Sequence, residues 1–218
     1  MKTDIIKIGG TKDNSEAALV QLQAALSQSE KFAQYNGLKE KDTRRLRLIV
    51  EEALGMMKEL AQDFTADFWI EGNEETCAVF IDASTDITSE KRSNLLAVSS
   101  EKKNILAKGV MGKIRSVFEA ALLSYSESYS EMLLNYGVVA DPFTMDQYGG
   151  FMPYYDNPMW SLRAYTEGIQ DGADTDEQKK EAWDELEKSI IANIADDVQI
   201  GVMGDRVKMV IYRKNEGK

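Results

Sequence analysis

The chain carries no histidine and one cysteine, Cys77, which closes off a large part of enzyme chemistry. Imidazole acid–base catalysis, phosphohistidine relays, Ser-His-Asp triads and zinc sites built on histidine or cysteine all lack their ligands. Any chemistry must rest on carboxylates, Lys, Arg, Tyr or a hard metal ion. Three places concentrate such groups. Glu51 and Glu52 stand side by side, with Gly55 and Met56 one helical turn further on. Asp82-Ala83-Ser84-Thr85-Asp86-Ile87 follows an apolar run. Lys108-Gly109-Val110-Met111-Gly112-Lys113 joins two glycines to two lysines, with Lys102 and Lys103 just upstream. Farther on, Tyr154, Tyr155 and Trp160 could stack a planar ligand or simply pack their own segment.

These groups need elements to hold them, and the apolar periodicity supplies candidates. Thr3 to Ile8 reads as a short strand ended by Gly9-Gly10. Asn14-Ser15-Glu16 offers a helix start, and Ala17 to Tyr35 has apolar residues at helical spacing, closed by Asn36-Gly37. Asp42-Thr43 starts a second helix, with Leu46, Ile49, Val50, Ala53, Met57 and Leu60 as its stripe and Arg44, Arg45 and Arg47 expected in water. Gly55 in its middle costs about 1 kcal/mol against alanine, which suggests close packing or binding there. A hairpin is expected from 67–71 and 76–81 around Gly72-Asn73. Ser89 to Val98 reads as a polar helix, and another is expected from Lys108 or Gly109 to Leu123. The stretch 136–172 holds all three prolines and many aromatics, and reads as a structured, irregular insertion. Asp174 to Ile194 is expected to be helical, with Trp183, Leu186, Ile190 and Ile194 on one face. Val198, Ile200 and Val202, a Gly204-Asp205 turn, and Val207, Met209 and Ile211 form a last hairpin, expected in the same sheet as the first.

Composition bounds the rest. A length of 218 residues with 43% hydrophobic content suits one domain over 1–218, with the insertion at 136–172. The net charge of −11 disfavours nonspecific contact with nucleic acid or anionic lipid. One cysteine and no long apolar run point to a cytoplasmic protein without membrane spans, and Cys77 reads as core.

Gly37-Leu38-Lys39-Glu40-Lys41-Asp42, followed by Leu46-Arg47-Leu48-Ile49-Val50-Glu51-Glu52-Ala53-Leu54, resembles the anti-sigma-factor serine kinases of the GHKL, or Bergerat-fold, ATPase superfamily. The likeness covers roughly residues 1–120 and 195–213. It implies an α/β fold of the α+β sandwich kind, a mixed sheet with helices on one face. In that family a helix glutamate activates a nucleophile near the γ-phosphate, and an asparagine four residues on holds Mg²⁺. Here Glu52 fits the acid, but Met56 stands at the asparagine position, and in the next register Glu51 faces Gly55. Neither is an oxygen ligand, so no metal ligand is assigned. Glu51 and Glu52 read equally as surface acids on a core helix. The family's Asp-x-Gly-x-Gly turn binds adenine through its aspartate. Asp82 fits, while Ser84 and Asp86 replace the glycines, and a plain strand-end turn explains Asp82 as well. Lys108, Gly109 and Gly112, helped by Lys103, resemble the phosphate-cradling glycine pair. The resemblance therefore implies a regulatory protein that binds a protein partner, such as a sigma factor or an anti-anti-sigma-like regulator, with ATP or ADP binding retained or vestigial and Mg²⁺ poorly supported. An active ATP-dependent protein serine/threonine kinase and a non-catalytic small-molecule-binding module are the alternatives.

Overall fold

The computed structural model describes residues 1–10, 15–60, 64–85, 138–139, 159–170, 177–203 and 206–216. The chain divides into two compact bodies. The first comprises Met1–Asp86, Glu187–Val198 and Asp205–Lys218, and the second Ile87–Leu186 and Gln199–Gly204.

The first body contains β1 (Ile6–Gly10), α1 (Ser15–Tyr35), α2 (Glu40–Leu60), β2 (Phe64–Gly72) and β3 (Thr76–Thr85). The second holds the short strands β4 (Val138–Val139) and β5 (Met159–Ser161), α3 (Leu162–Gln170) and nearly all of α4 (Glu177–Glu187). The chain closes with α5 (Ile190–Ile194), β6 (Asp197–Met203) and β7 (Arg206–Lys214). In the first body β1 pairs with β2, β2 with β3 and β3 with β7, each antiparallel. A mixed sheet is the expectation from the alternating strands and the helical stripes between them, yet every described pairing is antiparallel. Hairpin connections require antiparallel neighbours, and β2–β3 is joined by a tight turn. The last strand does lie in the same sheet as the first hairpin, as its alternation suggests.

Local chemistry explains the joints. Gly37 sits at φ +64°, its N–H donating to Gln34 C=O at 3.2 Å while Leu38 N–H reaches Ala33 C=O at 2.9 Å, a Schellman ending for α1. At the hairpin, Gly72 has φ +145°, and a Cβ there would meet Thr76 O at 2.2 Å. Asn73 Oδ1 accepts from the N–H groups of Glu75 and Thr76 at 2.9 Å each, fixing the turn.

Leu46, Ile49, Val50, Ala53, Met56 and Met57 are all buried, while Arg44 and Arg47 are exposed and Arg45 is half-buried. Phe32 on α1 and the strand residues Phe68, Ile70, Ile81, Met209 and Ile211 are fully buried as well. Three expectations need correction. Gly55 is exposed, and no described atom lies within 4 Å of where its Cβ would be, so nothing among the described residues packs there. The strands run longer than 67–71 and 76–81 because Phe64 pairs with Thr85 and Thr65 with Ser84. Asp174–Ile194 is not one helix: Ser189 leaves helical geometry and caps α5 by accepting from Ala192 N–H, which shifts the phase so that Ile191 is buried and Ile190 is 48% exposed.

In the second body β5 pairs antiparallel with β4 and with Gln199–Gly201 of β6. The tail of the expected irregular stretch 136–172 is therefore regular. Trp160 is fully buried in β5, its ring 6.0 Å from Tyr165, so it is core rather than an open stacking wall. Apart from β4, the rest of that stretch, Tyr154 and Tyr155 included, lies outside the described residues, as do the helices expected over 89–98 and 108–123 and the 204–205 turn. Among the described residues no helix is long and apolar enough to cross a membrane.

Candidate functional site

Strand alternation sorts side chains onto two faces of the first body's sheet. Arg213 reaches Asp42 on α2, at 3.3 Å between Nη2 and Oδ1, so its face is the helix side. Ile211, Met209, Val79, Ile81 and Ala83 share that side by register and are closed to solvent. Asp82 and Ser84 alternate with them and therefore point to the outer face. A strand-end turn, one of the two readings of Asp82, is not what the structure has, because β3 continues through Thr85.

On the helix layer, Glu52 is half-buried and Glu51 pairs with Arg47 at 3.4 Å. Met56 is 4% exposed, a core residue on the apolar stripe. Glu52 and Asp82 thus stand on opposite sides of the sheet, and no single site unites them. Asp86, Lys103, Lys108, Gly109 and Gly112 lie outside the described residues.

What surrounds Asp82 is a ladder of charges running across the outer face. Lys7, Asp67, Asp82 and Lys208 occupy successive positions on β1, β2, β3 and β7 in register. Two carboxylates directly across from each other repel, so each needs a cation. Lys7 Nζ lies 2.5 Å from Asp67 Oδ1, and Arg206 Nη2 donates to both oxygens of Asp82 at 2.8 and 2.9 Å. Burial holds the Lys208 ammonium below its ordinary range, with Asp82 pulling the other way. Lys7, Asp67, Asp82 and Arg206, with Thr65, Ala66 and Ser84, line an open depression of about 250 Å³. Farther along the same face Trp69 and Phe80 stack at 5.0 Å, and Ala78 and Val210 complete a buried apolar cluster. Lys2 lies 4.7 Å from the Trp69 ring and 2.9 Å from Glu71. Burial pushes the Glu71 carboxyl up, but hydrogen bonds from Lys2 and Trp69 outweigh it and hold it below its ordinary range.

A second polar cluster ties α2 to the end of β7. Asp42, 1% exposed, accepts from Arg213 and, at 3.2 Å, from the Glu216 N–H. Arg213 also donates to Ile194 C=O at 2.6 Å. The Glu216 carboxylate receives Lys41 at 2.8 Å and Arg45 at 2.5 Å, and those two hydrogen bonds hold its pKa down to about 2. Cys77 is buried nearby, and burial pushes its thiol up to about 12, which leaves it unreactive.

Neither Arg206 nor Asp67 stood out in the sequence. The hairpin turn at Gly72-Asn73 does hold the signal, since it forces Asp67 across from Asp82 and so requires cations nearby. Of the residues expected to meet a Mg²⁺–nucleotide, Met56 is buried in the core and offers no oxygen, and Asp82 is engaged by Arg206. Comparison of the chain with protein-family models, with curated proteins and with solved structures finds no match.

Proposed function

We propose that this chain is a regulatory protein of the anti-sigma type, acting in the cytoplasm by holding a protein partner rather than by transferring phosphate. The observation that carries the reading is the separation of Glu52 from Asp82 by the sheet, with Asp82 clamped by Arg206 at 2.8 Å. Phosphoryl transfer depends on positioned charge around one nucleotide, and two groups on opposite faces cannot share it. Nucleotide binding is then vestigial, or rests on other residues. The α1–α2 layer over an antiparallel sheet is compatible with a degenerate Bergerat-type domain, and the partner expected from the resemblance is a sigma factor or an anti-anti-sigma-like regulator.

The test has two arms. Purified protein is assayed for Mg²⁺-dependent ATP turnover, and is separately mixed with each sigma factor and anti-anti-sigma-like regulator of its own cell and run by size-exclusion chromatography. Co-elution with one of them, without turnover, is the expected result. Turnover at ordinary kinase rates, about 1–100 per second, that disappears in Glu52→Ala overturns the reading in favour of an active kinase. Absence of co-elution with every candidate overturns the assigned partner class.

A further inference from the structure

Lys214, Asn215 and Glu216 are held by groups that lie far from them in the chain. Asn215 N–H donates to Glu75 C=O at 2.7 Å, and its side-chain amide donates to Asn73 and Glu74 C=O at 3.4 and 3.2 Å. Lys214 N–H reaches the Asp196 carboxylate. Glu216 N–H reaches Asp42 at 3.2 Å, and the Glu216 carboxylate takes Lys41 and Arg45. Each of these bonds is polar, and Lys214 and Glu216 are exposed. The strap carries no apolar side chain, so no hydrophobic burial of its own opposes its departure. A segment of that kind opens locally at a smaller cost than the whole fold.

The strap touches the chain's single cysteine. The Cys77 thiol donates to Asn215 Oδ1 at 3.8 Å and is 3% exposed. The charged groups that act on it are Arg213, Asp42 and Asp196, all members of the same polar cluster. Arg213 stands opposite Cys77 in the β3–β7 register and has its own anchors in Asp42 and Ile194 C=O. It therefore keeps its place when the strap leaves.

We propose that Lys214–Glu216 is a latch that opens by itself, ahead of the rest of the fold, and that its opening admits solvent to Cys77. Closed, the thiol is buried and protonated, and a reagent that needs thiolate does not react with it. Open, the same thiol meets water while β2, β3 and β7 keep their pairing. The ion pairs of Glu216 face solvent, with Lys41 60% and Glu216 51% exposed, so salt screens them. Added salt therefore shifts the latch toward its open state. The same event frees Lys41 and Arg45 on the first turns of α2, which changes the charge that helix presents.

Labelling of Cys77 with an aromatic disulfide reagent such as DTNB, at fixed pH and over a range of urea, tests this. The chain has one thiol, so the signal has one source. A small opening exposes little surface, so the labelling rate is expected to stay nearly flat at low urea and to rise steeply only where the whole chain unfolds. Glu216→Gln is expected to raise the flat rate about threefold or more and to remove most of its salt dependence. Asn215→Ala is expected to raise the flat rate while leaving the salt dependence in place. Circular dichroism checks that each variant is folded, and either one decides alone if the other is not. A rate that climbs steeply from zero urea means that only global unfolding uncovers Cys77, and it overturns the proposal. So does a flat rate that the folded variants leave unchanged.

Discussion

The two faces of the first body's sheet come from the same strands and work differently. On the helix side Phe68, Ile70, Ile81, Met209 and Ile211 are closed and apolar, and their neighbours on α1 and α2 are too. On the outer side the same strands alternate to Trp69 and Phe80 at one end and to Lys7, Asp67, Asp82, Lys208 and Arg206 at the other. Burial proportional to apolar area stabilises the first face. The charged end of the second face is occupied with neutralising its own carboxylates, and exposed ion pairs contribute little to stability. A motif-like aspartate can therefore be a rung in a charge ladder, and chemistry should be assigned only after its cation is known.

The comparison can be broken most easily where the expected effect is largest. Phe68→Ala removes a fully buried ring from the helix face and should cost about 3–5 kcal/mol in denaturant unfolding. A cost below about 1 kcal/mol would mean that this face is not the main core. Asp42→Ala comes next, at about 3 kcal/mol, because it strands Arg213, whose side chain is only 10% exposed. Asp82→Ala tests the outer face with a pair of the same chemistry. Arg206 is 52% exposed there, so the loss should stay under about 1 kcal/mol. A larger cost would show that the ladder stabilises the fold as much as the core does.

The smallest effect is one of pH. Glu216 ordinarily titrates at 4.5 and is held at about 2 by hydrogen bonds from Lys41 and Arg45. Its folded pKa is depressed, so its contribution is complete above 4.5 and fades as pH falls toward 2. Glu216→Gln should therefore unfold more readily than wild type at neutral pH, with the gap closing across that window. A gap that does not change with pH would detach Glu216 from the cluster around Asp42.

Local order was legible in the sequence to a large extent. The α2 stripe, the Gly37 ending of α1 and the alternation of Val207, Met209 and Ile211 each depend on spacing within a few residues, and the structure has them. The break at Ser189 was missed because Leu186 and Ile190 keep helical spacing across it, and periodicity does not register a cap that restarts the phase. The strand continuing past Asp82 was missed for a related reason. Asp82-Ala83-Ser84-Thr85 is polar enough to read as a turn, and only its pairing with Phe64–Asp67 and Arg206–Lys208 keeps it extended.

What the sequence by itself determined is therefore of short range: which residues alternate at a period of two, which recur at 3.6, and which chemistries a chain without histidine cannot perform. The tertiary structure decided which face Asp82 occupies and which charge meets it. Arg206 lies 124 residues away in the chain and arrives only because β7 closes against β3 in one register. A slip of one residue would turn every side chain of that strand to the other face, so no local pattern could have settled the partnership.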